Sequence, residues 1–202
     1  MESSIYKLQG NTLTDSNEEN NLLSYVCFCL EQAREFLRLS GSSTPLTKPH
    51  LLFCSFSLFA KAFICAKAGE PRDEPTHGLT TRGTREETES LLEREVVVKE
   101  KGLFQSFHLC FADSQIKSGT RFRLRDLLGC IDGLGFPKVL ELDEPSAHLA
   151  ITFLLSMICR YEPLRWMKGK EEKWMKRYIE IAEQSFPSFI EEALRQLGFK
   201  NE

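Results

Sequence analysis

A chain of 202 residues with 42% hydrophobic and 27% charged side chains has the makeup of a folded globular domain, with length enough for one substantial core. That balance excludes an intrinsically disordered chain. The formal net charge of −3 excludes a protein that coats nucleic acid over its whole surface, while leaving room for a local basic site.

Residues 1–16 read as a flexible lead-in. They are polar and acidic, without the basic start and apolar stretch of a signal peptide. From Asn17 to Leu39 apolar residues recur at three-to-four spacing, at Leu22, Leu23, Val26, Leu30, Ala33, Phe36 and Leu37, which predicts an amphipathic helix ended by GSSTP at 41–45. Residues 46–68 predict a second helix, apolar nearly all round and therefore central, stopped by Gly69. Apolar runs are broken by Lys, Arg and Glu before the roughly 20 residues that span a bilayer, so no membrane association is expected and a cytoplasmic location is.

Residues 70–90 are polar and loop-like and turn helical at REETESLLERE. Val96-Val97-Val98 followed by KEKG predicts a short strand and a turn, with FQSFHLCF (104–111) as a candidate pairing strand. RFRL predicts another strand, leading into a short helix begun near Asp126. After a loop at Gly133, Gly135 and Pro137, the acidic group 141–146 ends in Pro145 and opens a core helix over 147–161, which Glu162-Pro163 breaks. Residues 171–186 predict an amphipathic helix interrupted by Pro187, and SFIEEALRQLGF predicts a last one stopped by Gly198. The expected fold is mainly α, a single domain over 17–202 with a small antiparallel β insertion near 94–125. The two most apolar helices should pack on each other, covered by the amphipathic ones.

The loop PRDEPTHG (71–78) carries the sharpest candidate chemistry. Arg72 can hold a phosphate by charge and paired hydrogen bonds, and a near-neutral His77 can move a proton to or from a ribose oxygen. Together they describe metal-independent RNA cleavage by internal 2′-hydroxyl attack, best served by two copies across a homodimer. The alternative is that His77, followed by Gly78, is a turn residue bonded to backbone. Further candidates for phosphate binding are Arg82, Arg85, Arg121, Arg123 and Arg125. The first two belong with Arg94, Lys99 and Lys101 to a stretch interleaved with glutamates, read as a solvated mixed-charge face. Alternation places the other three on one strand face, either facing an anion or paired with the acidic group 141–144.

His50, His108 and His148 lack metal-ligand spacing and read as structural. The seven cysteines form no CxxC and read as reduced thiols, largely in the core. No Walker A or GxGxxG loop is present, so no cofactor or metal is expected. Trp166, Trp174, Tyr161 and Tyr178 read as a packing seam or a subunit interface.

Several segments resemble, in order, the bacterial YaaC-like family: HGLTTRGTREE, EVVVKEKGLFQSF, FRLRDLLGCI, LLSMICRYEPLRW and SFPSFI. Family members are longer between the third and fourth, where residues 132–146 make the join here, so the chain resembles a compact version. The helix–loop–His-Gly arrangement is also similar to HEPN domains. That likeness implies a helical, often dimeric protein, with the HEPN arginine and histidine falling on Arg72 and His77. It implies a homo-oligomer or a subunit of a protein complex, in bacterial antiviral defence, with endoribonuclease activity on RNA as the alternative.

Overall fold

The computed structural model describes residues 7–8, 16–82, 90–196 and 199–200. Helix α1 (Ser16–Ser42) and helix α2 (Lys48–Ala68) form an antiparallel hairpin. Leu22, Val26, Cys29, Leu30 and Ala33 of α1 are buried, as their spacing requires. Small residues let the two backbones approach: Ser55 donates to the Ala33 carbonyl at 2.7 Å. Gly69, at φ 74°, closes α2 by donating its N–H to the Cys65 carbonyl.

Helix α2 alone among the described residues is long and apolar enough to cross a membrane by length and composition, which corrects the expectation that no run reaches that size. Lys61 and Lys67 are too few to lower its hydropathy below that level. In this fold α2 is the core helix. Its second neighbour, α5 (Glu144–Tyr161), runs antiparallel to it: Phe53 meets Phe153 at 5.6 Å between ring centroids, and His50 meets Ser156 at 3.0 Å. The expected pairing of the two apolar helices is therefore present.

Strands β2 (Leu79–Arg82), β3 (Glu95–Val98) and β4 (Arg121–Arg123) form an antiparallel sheet in that order. Leu79, Val96, Val98 and Phe122 are buried, and β2 and β3 contact α5. A further two-residue pairing joins β1 (Lys7–Leu8) to β5 (Phe199–Lys200).

The chain departs from expectation in four places. LTTR (79–82) is an edge strand rather than loop; with one buried apolar residue its signal was below what alternation can reveal. Of the predicted helix at 85–95, residues 85–89 lie outside the described residues and Leu91–Glu93 form one 3₁₀ turn. FQSFHLCF is no strand: Leu103–His108 form helix α3, because Phe104, Phe107, His108 and Phe111 have helical spacing, and Phe107 inserts among Phe56, Phe59 and Phe63. Finally, α7 (Lys173–Gln196) continues through Pro187. Burial of Phe186 and Ile190 on either side holds it helical despite the lost backbone bond. A cavity of about 270 Å³ opens beside Pro187, bounded by Leu37 of α1 and Ile190.

Two short helices complete the body. Helix α4 (Leu124–Leu128) follows β4, and α6 (Pro163–Gly169) follows the break at Glu162. The expected aromatic seam divides: Trp166 is buried and donates to the Pro45 carbonyl at 3.2 Å, Tyr178 is buried against His148, and Tyr161 is 66% exposed.

Candidate functional site

The loop after α2 is held by backbone bonds to the turn between β3 and α3. Leu103 and Phe104 donate their N–H groups to the carbonyls of Thr76 and His77 at 2.9 and 3.1 Å, and Lys99 donates to Gly78 at 2.9 Å. Gly78 (φ 70°) and Gly102 (φ 120°) lie backbone against backbone: a Cβ on Gly102 would stand 2.6 Å from the Gly78 nitrogen. This contact ties the histidine–glycine pair to the KEKG turn, which stands more than twenty residues away in the chain.

His77 therefore sits at a defined place over the α2–α5 seam. Its ring meets Phe53 edge-on at 5.1 Å and Phe153 at 5.7 Å. The residue is exposed, and its ring nitrogens have no hydrogen-bond partner among the described residues. The turn reading is thus half right: the His77 carbonyl serves the turn, while the imidazole is free. Partial burial on the two phenylalanines pushes its pKa below the ordinary histidine value, and Lys61, Arg160 and Lys99 add to the effect, so the ring is neutral at pH 7 and able to accept a proton.

Arg72 is differently placed from what the R-x4-H spacing suggests. Its guanidinium is exposed and bound to Glu70, at 2.9 and 3.0 Å, while its backbone N–H meets the Cys65 thiol. The cations that act on His77 come instead from α2, α5 and the β3–α3 turn. Sequence spacing misses them because Lys61 and Arg160 are 99 residues apart (160 − 61) and meet the loop only through the packing of α2 on α5. The one signal available was a lysine in the middle of an otherwise apolar helix.

The remaining described candidates lie on the sheet or in the short helix that follows it. Arg82 is exposed, with its Cα opposite Glu95 in the sheet, and Arg85 lies outside the described residues. Arg121, Arg123 and Arg125 do alternate outward from buried Phe122 and Leu124. Their partners are Glu95 and Glu93 rather than residues 141–144, since β4 pairs with β3: Arg121 is 3.7 Å from Glu95, and Arg125 is 2.7 Å from Glu93. Arg94 leaves the expected solvated face altogether. It is 5% exposed and paired with Glu162, which also holds Arg165 at 3.4 Å.

The other histidines are structural in this fold. His108 donates from Nδ1 to Asp143 at 3.0 Å, and Asp143 caps α5 by accepting from the Ser146 N–H at 2.7 Å. Ser146 Oγ approaches the same nitrogen, so the three side chains cannot relay a proton from one ring nitrogen to the other. His148 is fully enclosed by Phe56, Tyr178, Phe186 and Phe189; its Nδ1 is 3.2 Å from the Tyr178 hydroxyl and its Nε2 lacks a hydrogen bond.

A mainly α body with a three-stranded insertion, carrying a histidine–glycine loop locked on a distant glycine turn, is matched by one family description. The YaaC-like Protein family matches residues 3–136 and 132–194, and the chain belongs to that family. The two matched segments meet at 132–136, within the stretch read from sequence as the shortened join. No curated protein and no solved structure matches the chain.

Proposed function

We propose that the chain is a helical, HEPN-like subunit that associates with a second copy of itself through the α5–α6 corner and acts in a complex rather than as a lone enzyme. One observation carries this reading. Tyr161, Leu164 and Met167 are 66, 62 and 62% exposed and fall three residues apart in the chain across the α5–α6 break, with Leu46 (56%) also exposed in the segment that receives the Trp166 hydrogen bond. Exposed large apolar side chains in a contiguous strip mark interaction surfaces. Within residues 161–167 the one carboxylate, Glu162, is already neutralised by Arg94 and Arg165, so two copies can meet there without burying that acid unpaired. A self-complementary strip is what a two-fold dimer requires. Light scattering after size exclusion tests it: a dimer is expected at tens of micromolar, and Leu164→Glu with Met167→Glu should give a folded monomer. A wild-type monomer at every concentration, or a dimer indifferent to both changes, refutes it. A role in bacterial antiviral defence has its support in the HEPN-like resemblance alone.

A second reading, metal-independent endoribonuclease, has its support in the free, accessible, neutral imidazole of His77. The pairing of Arg72 with Glu70 weighs against the original couple. RNA cleaved in EDTA to 2′,3′-cyclic phosphate ends, and spared by His77→Ala, would favour this reading over the first.

A further inference from the structure

Helix α2 carries a histidine and a cysteine one turn apart, His50 and Cys54, beside α5. His50 Nε2 lies 3.8 Å from Cys54 Sγ, and His50 Nδ1 lies 3.0 Å from Ser156 Oγ of α5. Ser156 is fully buried, so it fixes the ring and leaves Nε2 on the sulfur side. His50 and Cys54 are only half-buried, so a small ion can reach them.

Burial, with Arg160 adding to it, holds His50 below the ordinary histidine pKa, so at pH 7 the ring is neutral and has a lone pair to give. Burial raises the Cys54 thiol, against the opposing pull of Arg160, so the sulfur keeps its proton until something replaces it. A thiol that stays protonated is a poor nucleophile, which argues against covalent catalysis here. A neutral imidazole and a thiol held side by side are instead a chelating pair.

Their separation suits one metal ion. With bonds of about 2.0 Å to nitrogen and about 2.3 Å to sulfur, the 3.8 Å gap sets an angle of about 120° at the ion. That angle is trigonal and leaves a third position. Among the described residues no group of three histidines, cysteines or carboxylates could hold a metal, so solvent or a small thiol takes that position. Charge selects the ion. Arg160 acts on both His50 and Cys54. A monovalent ion on the Cys54 thiolate makes a neutral complex, whereas a divalent one leaves a net positive charge half-buried near that guanidinium. Thiolate and imidazole in a low-coordinate site favour copper(I).

We propose that His50 and Cys54 form a binding site for a monovalent soft metal ion, copper(I), with Ser156 holding the imidazole in place. Binding forms an S–Cu and an N–Cu bond and breaks the S–H bond. The thiol proton leaves to solvent, Nδ1 donates its N–H to Ser156 Oγ, and the copper is neither oxidised nor reduced. The site depends neither on dimerisation nor on RNA cleavage.

Anaerobic titration with copper(I) buffered by bicinchoninate, followed by alkylation with iodoacetamide and peptide mapping, tests it. One ion per chain should bind, raising the native mass by one copper less one proton. At one equivalent Cys54 should be shielded from alkylation, while the other six of the seven free cysteines react as in the metal-free protein. His50→Gln keeps the sulfur but should weaken binding at least about a hundredfold, and Ser156→Ala, which only frees the ring, by about 10–100-fold. If either variant fails to fold, the mapping on the wild-type chain still decides. The Leu164→Glu, Met167→Glu protein should bind copper(I) like the wild type, which separates this site from the dimer surface. No copper taken from the competitor, a different thiol shielded at one equivalent, an affinity unmoved by His50→Gln, or zinc(II) shielding Cys54 at a lower free concentration than copper(I) would overturn the proposal.

Discussion

Replacing Gly102 with alanine should destabilise the protein strongly, through both backbone strain and a clash with backbone. At φ 120° and ψ −178° its backbone occupies a region closed to side-chain-bearing residues, a strain of about 1–3 kcal/mol. The added Cβ would also stand 2.5 Å from Thr76 Oγ1, 2.6 Å from the Gly78 nitrogen and 2.7 Å from its Cα. Two of these are backbone atoms held by the hydrogen bonds of Thr76, His77 and Gly78, so the clash cannot be relieved by rotating a side chain. Overpacking of this kind adds about 1–3 kcal/mol. Taking about 3 kcal/mol as the sum, thermal unfolding should begin about 6–12 °C lower for a chain of this size. Gly69→Ala is the control: its φ of 74° is also left-handed, but nothing lies within 4 Å of the new Cβ, so only about 1–2 kcal/mol is at stake. Calorimetric melting of both variants decides the matter. A Gly102→Ala midpoint no lower than that of Gly69→Ala would refute the claim that the two loops are locked by backbone contact.

Glu162→Gln should cost about 3–5 kcal/mol by leaving Arg94 buried and unpaired, and adding Arg94→Met should recover part of it; urea unfolding of the three proteins checks this. Burial holds His148 below the ordinary histidine pKa, so below pH about 6.5 the unfolded chain binds the extra proton and stability falls, by at most about 1.4 kcal/mol per pH unit for this residue. Denaturant titrations between pH 7.5 and 5 should show that loss, and His148→Gln should flatten it. Burial likewise pushes the Cys110 thiol up to about 11, so at pH 8 it should react with a disulfide reagent on the order of a hundredfold more slowly than a free cysteine, while all seven thiols react in denaturant.

Much of the body was legible as pattern. The spacing of Leu22, Val26, Leu30 and Ala33 marked the buried face of α1, Gly69 marked the end of α2, and Pro145 marked the start of α5, because each signal is local and acts through backbone geometry or one helix face. Apolarity all round marked α2 and α5 as mutual core partners, since neither has a polar face to give to water. Family membership was legible for a related reason: the His-Gly and KEKG segments are constrained by a contact that tolerates only glycine. Tertiary structure alone decided the rest. It kept α7 helical through Pro187 by burying Phe186 and Ile190, and it drew FQSFHLCF into a helix by seating Phe107 among the phenylalanines of α2. It also paired Arg72 with Glu70 and brought the charges of Lys61, Lys99 and Arg160 to bear on His77. Charges are paired by proximity in space, and residues brought together from two antiparallel helices and a turn leave no fixed interval in the chain to read.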